Sequence, residues 1–243
     1  MNFIRTLNYK VYSDSLSKIK IEDGACKVIN TISPNSYGIA TKDTEFDFAL
    51  KDSDYLVLDG VYFALSSILL QGKNIKRNQG PDVFHHFISR FQRTRGKVFF
   101  LGSTTEVLNK IESRLKIDFP LVEAGTFSPP FKKEFSDEDN ELMIDQVNSF
   151  KPDILFIGMT CPKQEKWAIK NRDKLNAKIV ICIGNVFDWY AGTQKSIHPI
   201  WFKLRLGWFI RIFLRPEVFK RNIGNQMIFF KDLLLIKFKI KKI

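Results

Sequence analysis

The sequence predicts an α/β protein with a mostly parallel sheet, helices on both faces and a C-terminal helical appendage. Short apolar runs alternate with longer helical patterns over most of the chain, which is typical of βαβ units. Several of these runs end in Gly followed by a polar residue, as strands do at the carboxyl edge of an open parallel sheet. With 243 residues, 44% of them hydrophobic, the chain can bury the core of such a Rossmann-like domain.

The predicted strands are short apolar runs bounded by turn residues. They fall near residues 28–33, 55–58, 98–101, 119–123, 154–157 and 179–183. The predicted helices lie between them, at about residues 36–50, 62–71, 81–93, 105–116, 136–149 and 162–175. Right-handed crossovers between parallel strands place such helices on both faces of the sheet.

Helix starts are marked by residues whose side chains can cap a helix. The candidate caps are Asn35 or Ser36, Ser103 or Thr104, and Ser136. After Gly192 the alternation of strands and helices stops. We therefore expect an α/β core over residues 1–194 and a basic, amphipathic appendage over residues 195–243.

The positive charge is concentrated in this appendage. Residues 201–243 contain 11 Lys or Arg and two Asp or Glu, whereas the first 200 residues contain 27 and 24. Because large apolar side chains are interleaved with the cations, the pattern favours an anionic membrane surface over nucleic acid; a solvated helix face is the alternative. No apolar run reaches about 18 residues, so we expect no spanning helix. The three widely spaced cysteines fit a reducing compartment.

Polar residues follow the predicted strands, where ligands bind in open α/β sheets. Asp59 comes directly after the 55–58 run, where a partly desolvated carboxylate suits a general base, although an isolated Asp there more often caps a helix. Ser33 and Asn35 could bond sugar hydroxyls or cap the next helix. The loop that begins at Arg77 could hold phosphate or be an ordinary turn.

Gly102 and Ser103 follow the 98–101 run in an arrangement that favours a nucleotide phosphate or ribose. The G-x-G-x-x-G and P-loop patterns are missing, so neither a dinucleotide enzyme nor a P-loop NTPase is supported. Two further strand ends carry polar and glycine residues, within residues 152–171 and 182–192. They supply Gly158, Gln164, Glu165, Gly184 and Asp188.

Metal chemistry has weak support in the sequence. Two D-x-D pairs, at Asp52/Asp54 and Asp137/Asp139, could hold a divalent ion on a diphosphate, but neither follows a strand, and solvent-facing helix-end charges explain them better. Cys161 has no adjacent His to activate it as a nucleophile. We therefore predict no metal and no cofactor.

The motifs TISPN, VLDG, RNQGPD, VFFLG, PDILFIGMTCPKQEKW and IGNVFDWYAG together resemble the WecG/TagA/CpsF family of bacterial glycosyltransferases. The resemblance covers about residues 31–221, and the G-x-x-x-P-K-Q-E-x-W segment at residues 158–167 is its most specific part. It implies inverting, metal-independent transfer of a sugar, typically N-acetylmannosamine or its uronic acid, from a UDP-sugar donor to a polyprenyl-diphosphate-linked acceptor. The products serve cell-surface polysaccharides such as teichoic acid linkage units or capsules.

The resemblance also implies roles for individual residues. Asp59 matches the proposed catalytic base, and Arg77 matches a basic position near the acceptor diphosphate. The positions that line the substrate site, or that the tail brings to it, are Ser33, Asn35, Gln164, Glu165, Asp188, Arg211 and Arg221. The positions expected near the nucleotide are Gly102, Ser103, Gly158 and Gly184.

The function predicted from the sequence is thus a hexosyltransferase of bacterial polysaccharide biosynthesis, held peripherally on the cytoplasmic face of the plasma membrane. The alternative is a non-catalytic polysaccharide-assembly protein on the same fold. No nucleic-acid partner is expected, and a homo-oligomer is left open. The donor sugar and the acceptor are not specified by the sequence.

Overall fold

The described residues fold around one mostly parallel sheet of eight strands. The computed structural model describes residues 2–22, 24–59, 62–75, 78–194, 214 and 216–241. The strands are β1 Phe3–Thr6, β2 Tyr9–Tyr12, β3 Lys27–Ile32, β4 Tyr55–Leu58, β5 Lys97–Gly102, β6 Glu123–Phe127, β7 Ile154–Gly158 and β8 Ile179–Cys182. Their order in space is β1-β2-β4-β3-β8-β7-β5-β6, and all pairs but β1 with β2 are parallel. The predicted α/β class is confirmed.

Two parts of the strand prediction are wrong. The run at 119–123 is the turn that ends a helix, where Phe119 N–H bonds Leu115 O, and the strand begins only at Glu123, which pairs with Lys97. The β1–β2 hairpin was not predicted. Its strands have four residues each and meet at Leu7 and Asn8, both at positive φ, so neither the length nor the turn residues mark it clearly in the sequence.

The helices fill the connections between the strands. They are α1 Pro34–Ala40, α2 Thr44–Lys51, α3 Ala64–Gln71, α4 Gly80–Thr94, α5 Thr105–Asp118, α6 Asp137–Phe150, α7 Lys163–Asn171, α8 Val186–Tyr190 and α9 Pro216–Lys237. The single helix predicted at 36–50 is two helices, because the Asp43 side chain caps a new one by accepting from Phe46 N–H. Thr104 and Ser136 are N-caps as predicted. The N-cap of α1 is Ser33 rather than Asn35 or Ser36.

Both faces of the sheet are buried, which explains why the central strands read as continuous apolar runs. All four residues of β4 and all four of β8 are buried. On β7, Phe156 packs with α4 and α8, while Leu155 and Ile157 pack on the opposite face with α6 and α7. The alternation of side chains along a strand thus feeds two separate cores.

The last helix, α9, packs against the first half of the sheet. Phe229 and Leu233 are buried in the cluster that α1, α2 and α3 form over β2 and β4. α1 approaches α9 backbone to backbone, since a Cβ on Gly38 would lie 2.2 Å from the carbonyl oxygen of Asn225. The proposed division at residues 194/195 stays a prediction.

Among the described helices, none has the combined length and hydropathy that crossing a bilayer requires.

Candidate active site

The parallel register brings the ends of the central strands together at one edge of the sheet. Ile32 of β3 is paired with Leu58 of β4, and Ile157 of β7 with Cys182 of β8. The chain order reverses between β3 and β8, which are neighbours in the sheet but far apart in sequence. In open α/β sheets this switch point is where ligands bind. The carboxyl edge around β3, β4, β7 and β8 is therefore the candidate site.

Asp59 lies at this edge, directly after β4. Its backbone N–H donates to Ile32 O at 2.9 Å, so the residue remains tied to the end of β3 after the β4 ladder ends. The residue is half-buried. A half-buried carboxylate at the end of a parallel strand occupies the edge where open α/β sheets bind ligands, which is a position that suits a general base.

Ser33 and Asn35 lie beside Asp59, at the start of α1. The Ser33 hydroxyl accepts from Ser36 N–H at 3.2 Å, and the Ser36 hydroxyl accepts from Ser33 N–H at 2.6 Å, which forms a capping box. The Ser33 side chain therefore has a structural role whether or not it contacts a ligand. Asn35 is half-buried in the first turn of α1.

The two predicted site residues Arg77 and Arg211 lie outside the described residues. Asn78, which follows Arg77, donates its N–H to Leu58 O at 3.2 Å, so the chain returns to the end of β4 at this point.

The loop after β7 is held by Gln164. Its Oε1 accepts from Met159 N–H at 3.2 Å, and its Nε2 donates to Glu165 Oε1 at 2.8 Å. Both side chains are almost completely enclosed, with Gln164 4% and Glu165 2% exposed. Gln164 thus connects the β7 loop to a buried carboxyl beneath it.

Glu165 is a buried acid with few compensating contacts. Its Oε2 makes no hydrogen bond within the described part of the chain, and no ion pair among the described residues involves it. Burial raises the pKa of this carboxyl, and the hydrogen bond from Gln164 offsets only part of the effect. Removal from water also raises the thiol pKa of Cys161 and of Cys182, and proximity to Glu165 adds to it. These thiols are therefore not activated nucleophiles.

Glycines let the strand ends approach one another closely. A Cβ on Gly102, which has φ +120°, would lie 2.6 Å from Gly158 O, and the Ser103 N–H bonds that same oxygen at 3.0 Å. A Cβ on Gly158 would meet the Phe187 ring at 2.4 Å. Gly184 lies over the Gln164 amide. These positions, expected near a nucleotide, shape the β5, β7 and β8 ends; their contact with a ligand stays a prediction.

Asp188 lines a cleft of about 350 Å³ on the β5 side of the edge. It is half-buried in the short helix α8, and its carboxylate accepts from the Thr193 hydroxyl at 3.3 Å. The cleft also reaches the first turn of α5, the helix that follows Ser103 and Thr104. The residues lining it are Glu106, Val107, Asp188, Thr193, Gln194, Leu214 and Glu217.

The N-terminal half of α9 reaches the same edge from the other side. Arg221 is exposed in the second turn of α9. One turn further on, Asn225 Nδ2 donates to Asn35 Oδ1 at 3.2 Å. Sequence reasoning did not find Asn225, because an isolated Asn in a predicted membrane-binding tail carries no signal.

The D-x-D pairs have structural roles. Asp52 forms an ion pair with Arg172 at 2.9 Å, Asp54 accepts from Val28 N–H, and Asp139 caps α6 and pairs with Lys132. Within the described ranges, no group of three or more metal-ligating side chains comes together. The metal-free chemistry expected from the sequence stays a prediction.

The fold is thus an α/β protein whose doubly wound sheet carries Asp59 and Asn35 at its switch point, the edge where such sheets bind ligands. The sequence model of the Glycosyl transferase WecG/TagA/CpsF family matches residues 4–243. The chain belongs to this family.

Curated relatives with the same printed name are similar over most of their length. A Bacillus subtilis (strain 168) protein is 26% identical over 217 residues, which cover 89% of this chain and 83% of the relative. A Staphylococcus aureus (strain MRSA252) protein is 26% identical over 214 residues, covering 88% and 82%. Both are named N-acetylglucosaminyldiphosphoundecaprenol N-acetyl-beta-D-mannosaminyltransferase.

Proposed function

We propose that this protein is an inverting glycosyltransferase of bacterial cell-surface polysaccharide biosynthesis. It would move N-acetylmannosamine or a related hexose from a UDP-sugar to a polyprenyl-diphosphate-linked sugar. Family membership over residues 4–243 carries the proposal, and the relatives' names supply the transferred sugar and the lipid-linked acceptor. The position of Asp59 at the switch point of the sheet supports the catalytic part.

Asp59 would act as the general base in a single displacement. Its carboxylate takes the proton of the acceptor hydroxyl, whose oxygen attacks the anomeric carbon of the donor. The bond from that carbon to the UDP oxygen breaks on the opposite face, so the configuration inverts. A carboxylate at the end of β4 suits this role because the Asp59 backbone is tied to Ile32 O at the ligand-binding edge of the sheet and the residue is only half-buried.

The leaving diphosphate gains negative charge as the bond breaks, and cations or backbone N–H groups must stabilise it. Arg221 is a cation that the family resemblance assigns to the site, and it lies one turn before Asn225, which contacts Asn35 at the candidate edge. The 14-residue helix α5 begins at the same edge, and its dipole favours an anion near Ser103 and Thr104. Arg77 and Arg211 are the further cations that the family resemblance assigns to the substrates.

The protein would work peripherally at the cytoplasmic face of the membrane that holds its acceptor. Met227, Leu234 and Phe238 are exposed at spacings of seven and four residues, which places them on one face of α9 and its extension. Lys237 and Lys239 are exposed in the same segment, whereas the charge of Lys241 is paired with Asp232. An apolar face flanked by cations suits an anionic lipid surface.

The decisive experiment compares Asp59→Asn with the wild type, using UDP-N-acetylmannosamine and a short-chain polyprenyl-diphosphate-N-acetylglucosamine. We expect a loss of about 10²–10⁴ in rate, the usual contribution of a general base. Asp173→Asn is the matched control, because the Asp173 side chain is 96% exposed and lies away from the strand ends. Equal rates in the Asp59 variant and the control would remove Asp59 from the mechanism. No turnover by the wild type with any UDP-sugar would favour the non-catalytic assembly protein.

A further inference from the structure

Helices α1 and α9 meet at a polar contact that reaches the candidate site. The close approach at Gly38 brings Asn225 of α9 alongside the first turn of α1. Asn225 is in contact there with two polar side chains of the core, Asn35 and Lys42. Of the three, Asn35 is the one that lies at the carboxyl edge of the sheet.

The donors and acceptors of this contact can be assigned by chemistry alone. Lys42 Nζ lies 3.1 Å from Asn225 Oδ1, and an ammonium group can only donate, so Asn225 must turn its oxygen to Lys42. The Asn225 Nδ2 then faces Asn35, 3.2 Å from its Oδ1. Asn35 must therefore turn its oxygen to α9. This assignment does not depend on which atom of either amide is taken as oxygen and which as nitrogen, because the Lys42 ammonium group must face an oxygen.

We propose that Asn225 and Lys42 are positioning residues that hold the Asn35 amide with its N–H₂ group turned into the substrate site. The inference rests on the proposed function, in which Asn35 lines the sugar site. In the described part of the chain, the Asn35 side chain receives its one hydrogen bond from Asn225, and this bond occupies the oxygen. The two N–H donors of Asn35 remain for a ligand.

This arrangement selects the chemistry of the group that Asn35 binds. A sugar hydroxyl can donate or accept, so it would tolerate either orientation of the amide. An acetamido carbonyl or a diphosphate oxygen only accepts, so it requires the N–H₂ group. A fixed orientation is useful only for such a partner. We infer that Asn35 donates to an acceptor-only oxygen of the donor or the acceptor substrate.

Asn225→Asp tests the orientation without changing the shape of the contact. The new carboxylate forms an ion pair with Lys42, and its remaining oxygen accepts but cannot donate. Asn35 must then turn its N–H₂ group to α9 and its oxygen to the substrate. We expect kcat/KM to fall by about ten-fold or more, because two acceptors would face each other in the site. The midpoint of thermal unfolding should stay at or above the wild-type value.

Lys42→Met gives a graded second test. Without the cation, the two orientations of the amide pair become nearly equal in free energy, and the competent fraction falls to about half. The expected loss in kcat/KM is therefore about two-fold. Asn109→Asp is the matched control, because it makes the same substitution at an exposed position on α5. The kcat/KM of this control should equal that of the wild type, or at least clearly exceed that of Asn225→Asp.

Donors with and without an acetamido group identify the partner oxygen. A loss in Asn225→Asp that is confined to acetamido donors assigns the acetamido carbonyl of the donor, and a loss with both assigns an oxygen that all substrates share. Either result supports the proposal. Equal kcat/KM in Asn225→Asp and Asn109→Asp would overturn it. Equal losses in Asn225→Asp and Lys42→Met, with a lowered unfolding midpoint in both, would also overturn it, since the contact would then only hold α9 in place.

A readout independent of turnover separates this inference from the proposed function. In protein with ¹⁵N-labelled asparagine, the Asn225 side-chain amide should exchange slowly and the Asn35 amide quickly. In Asn225→Asp the Asn35 amide should become the protected one. This pattern would hold even if no UDP-sugar were turned over, whereas its reversal in the wild type would refute the orientation.

Discussion

Replacing Glu165 by Gln should change how the stability of the protein depends on pH. The carboxyl is 2% exposed, accepts one hydrogen bond from Gln164 Nε2 and, among the described residues, forms no ion pair. Burial without a cation raises the pKa of Glu165 above its ordinary value of 4.5. Gln is neutral at every pH and retains an oxygen to accept from Gln164. The variant therefore removes the ionisation and leaves the contact with the β7 loop.

The direction of this pH dependence follows from the number of protons that the folded and unfolded states bind. Above about pH 4.5 the unfolded chain releases the Glu165 proton, while the folded protein keeps it until the raised pKa is reached. The stabilising effect of the neutral acid is thus complete below pH 4.5 and is lost as pH rises through that window. Within it, the free energy of unfolding of the wild type should fall relative to the variant by about 1.4 kcal/mol per pH unit. The loss ends above the folded-state pKa, where both states are ionised.

The assay is urea unfolding of both proteins at intervals between pH 5 and pH 8. The difference between their unfolding free energies should change with pH in favour of Glu165→Gln, whatever its absolute value. Glu141→Gln, at an exposed position on α6, is the control for the substitution itself. A difference for Glu165→Gln that does not change with pH would mean that the carboxyl is ionised in the folded protein. The account of a neutral acid beneath Gln164 would then be wrong.

Two further outcomes follow from the site and the tail. Transfer should persist in excess EDTA, because Asp52 and Asp54 are engaged by Arg172 and by β3; loss of activity that magnesium or manganese restores would contradict this. Anionic liposomes should sediment the protein, and the double variant Phe238→Glu/Ile240→Glu should weaken binding by about ten-fold or more. Ile117→Glu, exposed on α5, should bind as the wild type does; equal binding by all three proteins would place the membrane contact elsewhere.

The central sheet was readable from the sequence because its strands are buried on both faces. The apolar runs that become β4, β7 and β8 are continuous, and each is followed by Gly or by a polar residue where the strand ends. Such runs have few alternative interpretations when helical patterns separate them. The predicted places of Asp59 and Gly158 at strand ends followed directly from this pattern.

Other elements depend on contacts that a local pattern does not contain. β6 has only partly buried or exposed residues and owes its position to pairing with β5. α9 was expected at a membrane because it is basic and apolar, yet Phe229 is fully buried against α1 and α3. One helix can present a buried face and an exposed apolar face at once, and the sequence does not indicate which apolar residues lie on each.

The predicted site residues divide by exposure, and the division bears on where the chemistry takes place. Asn35 and Asp59, which follow β3 and β4, are half-buried. Gln164 and Glu165 are enclosed, and their polar atoms are directed to Met159 N–H and to each other. Sequence motifs mark both pairs equally, because a residue that shapes a loop and a residue that contacts a ligand can occupy the same strand end. With Asp59 as the proposed general base, the reacting atoms would lie on the β3–β4 side of the edge, and the Gln164–Glu165 pair would hold the opposite wall.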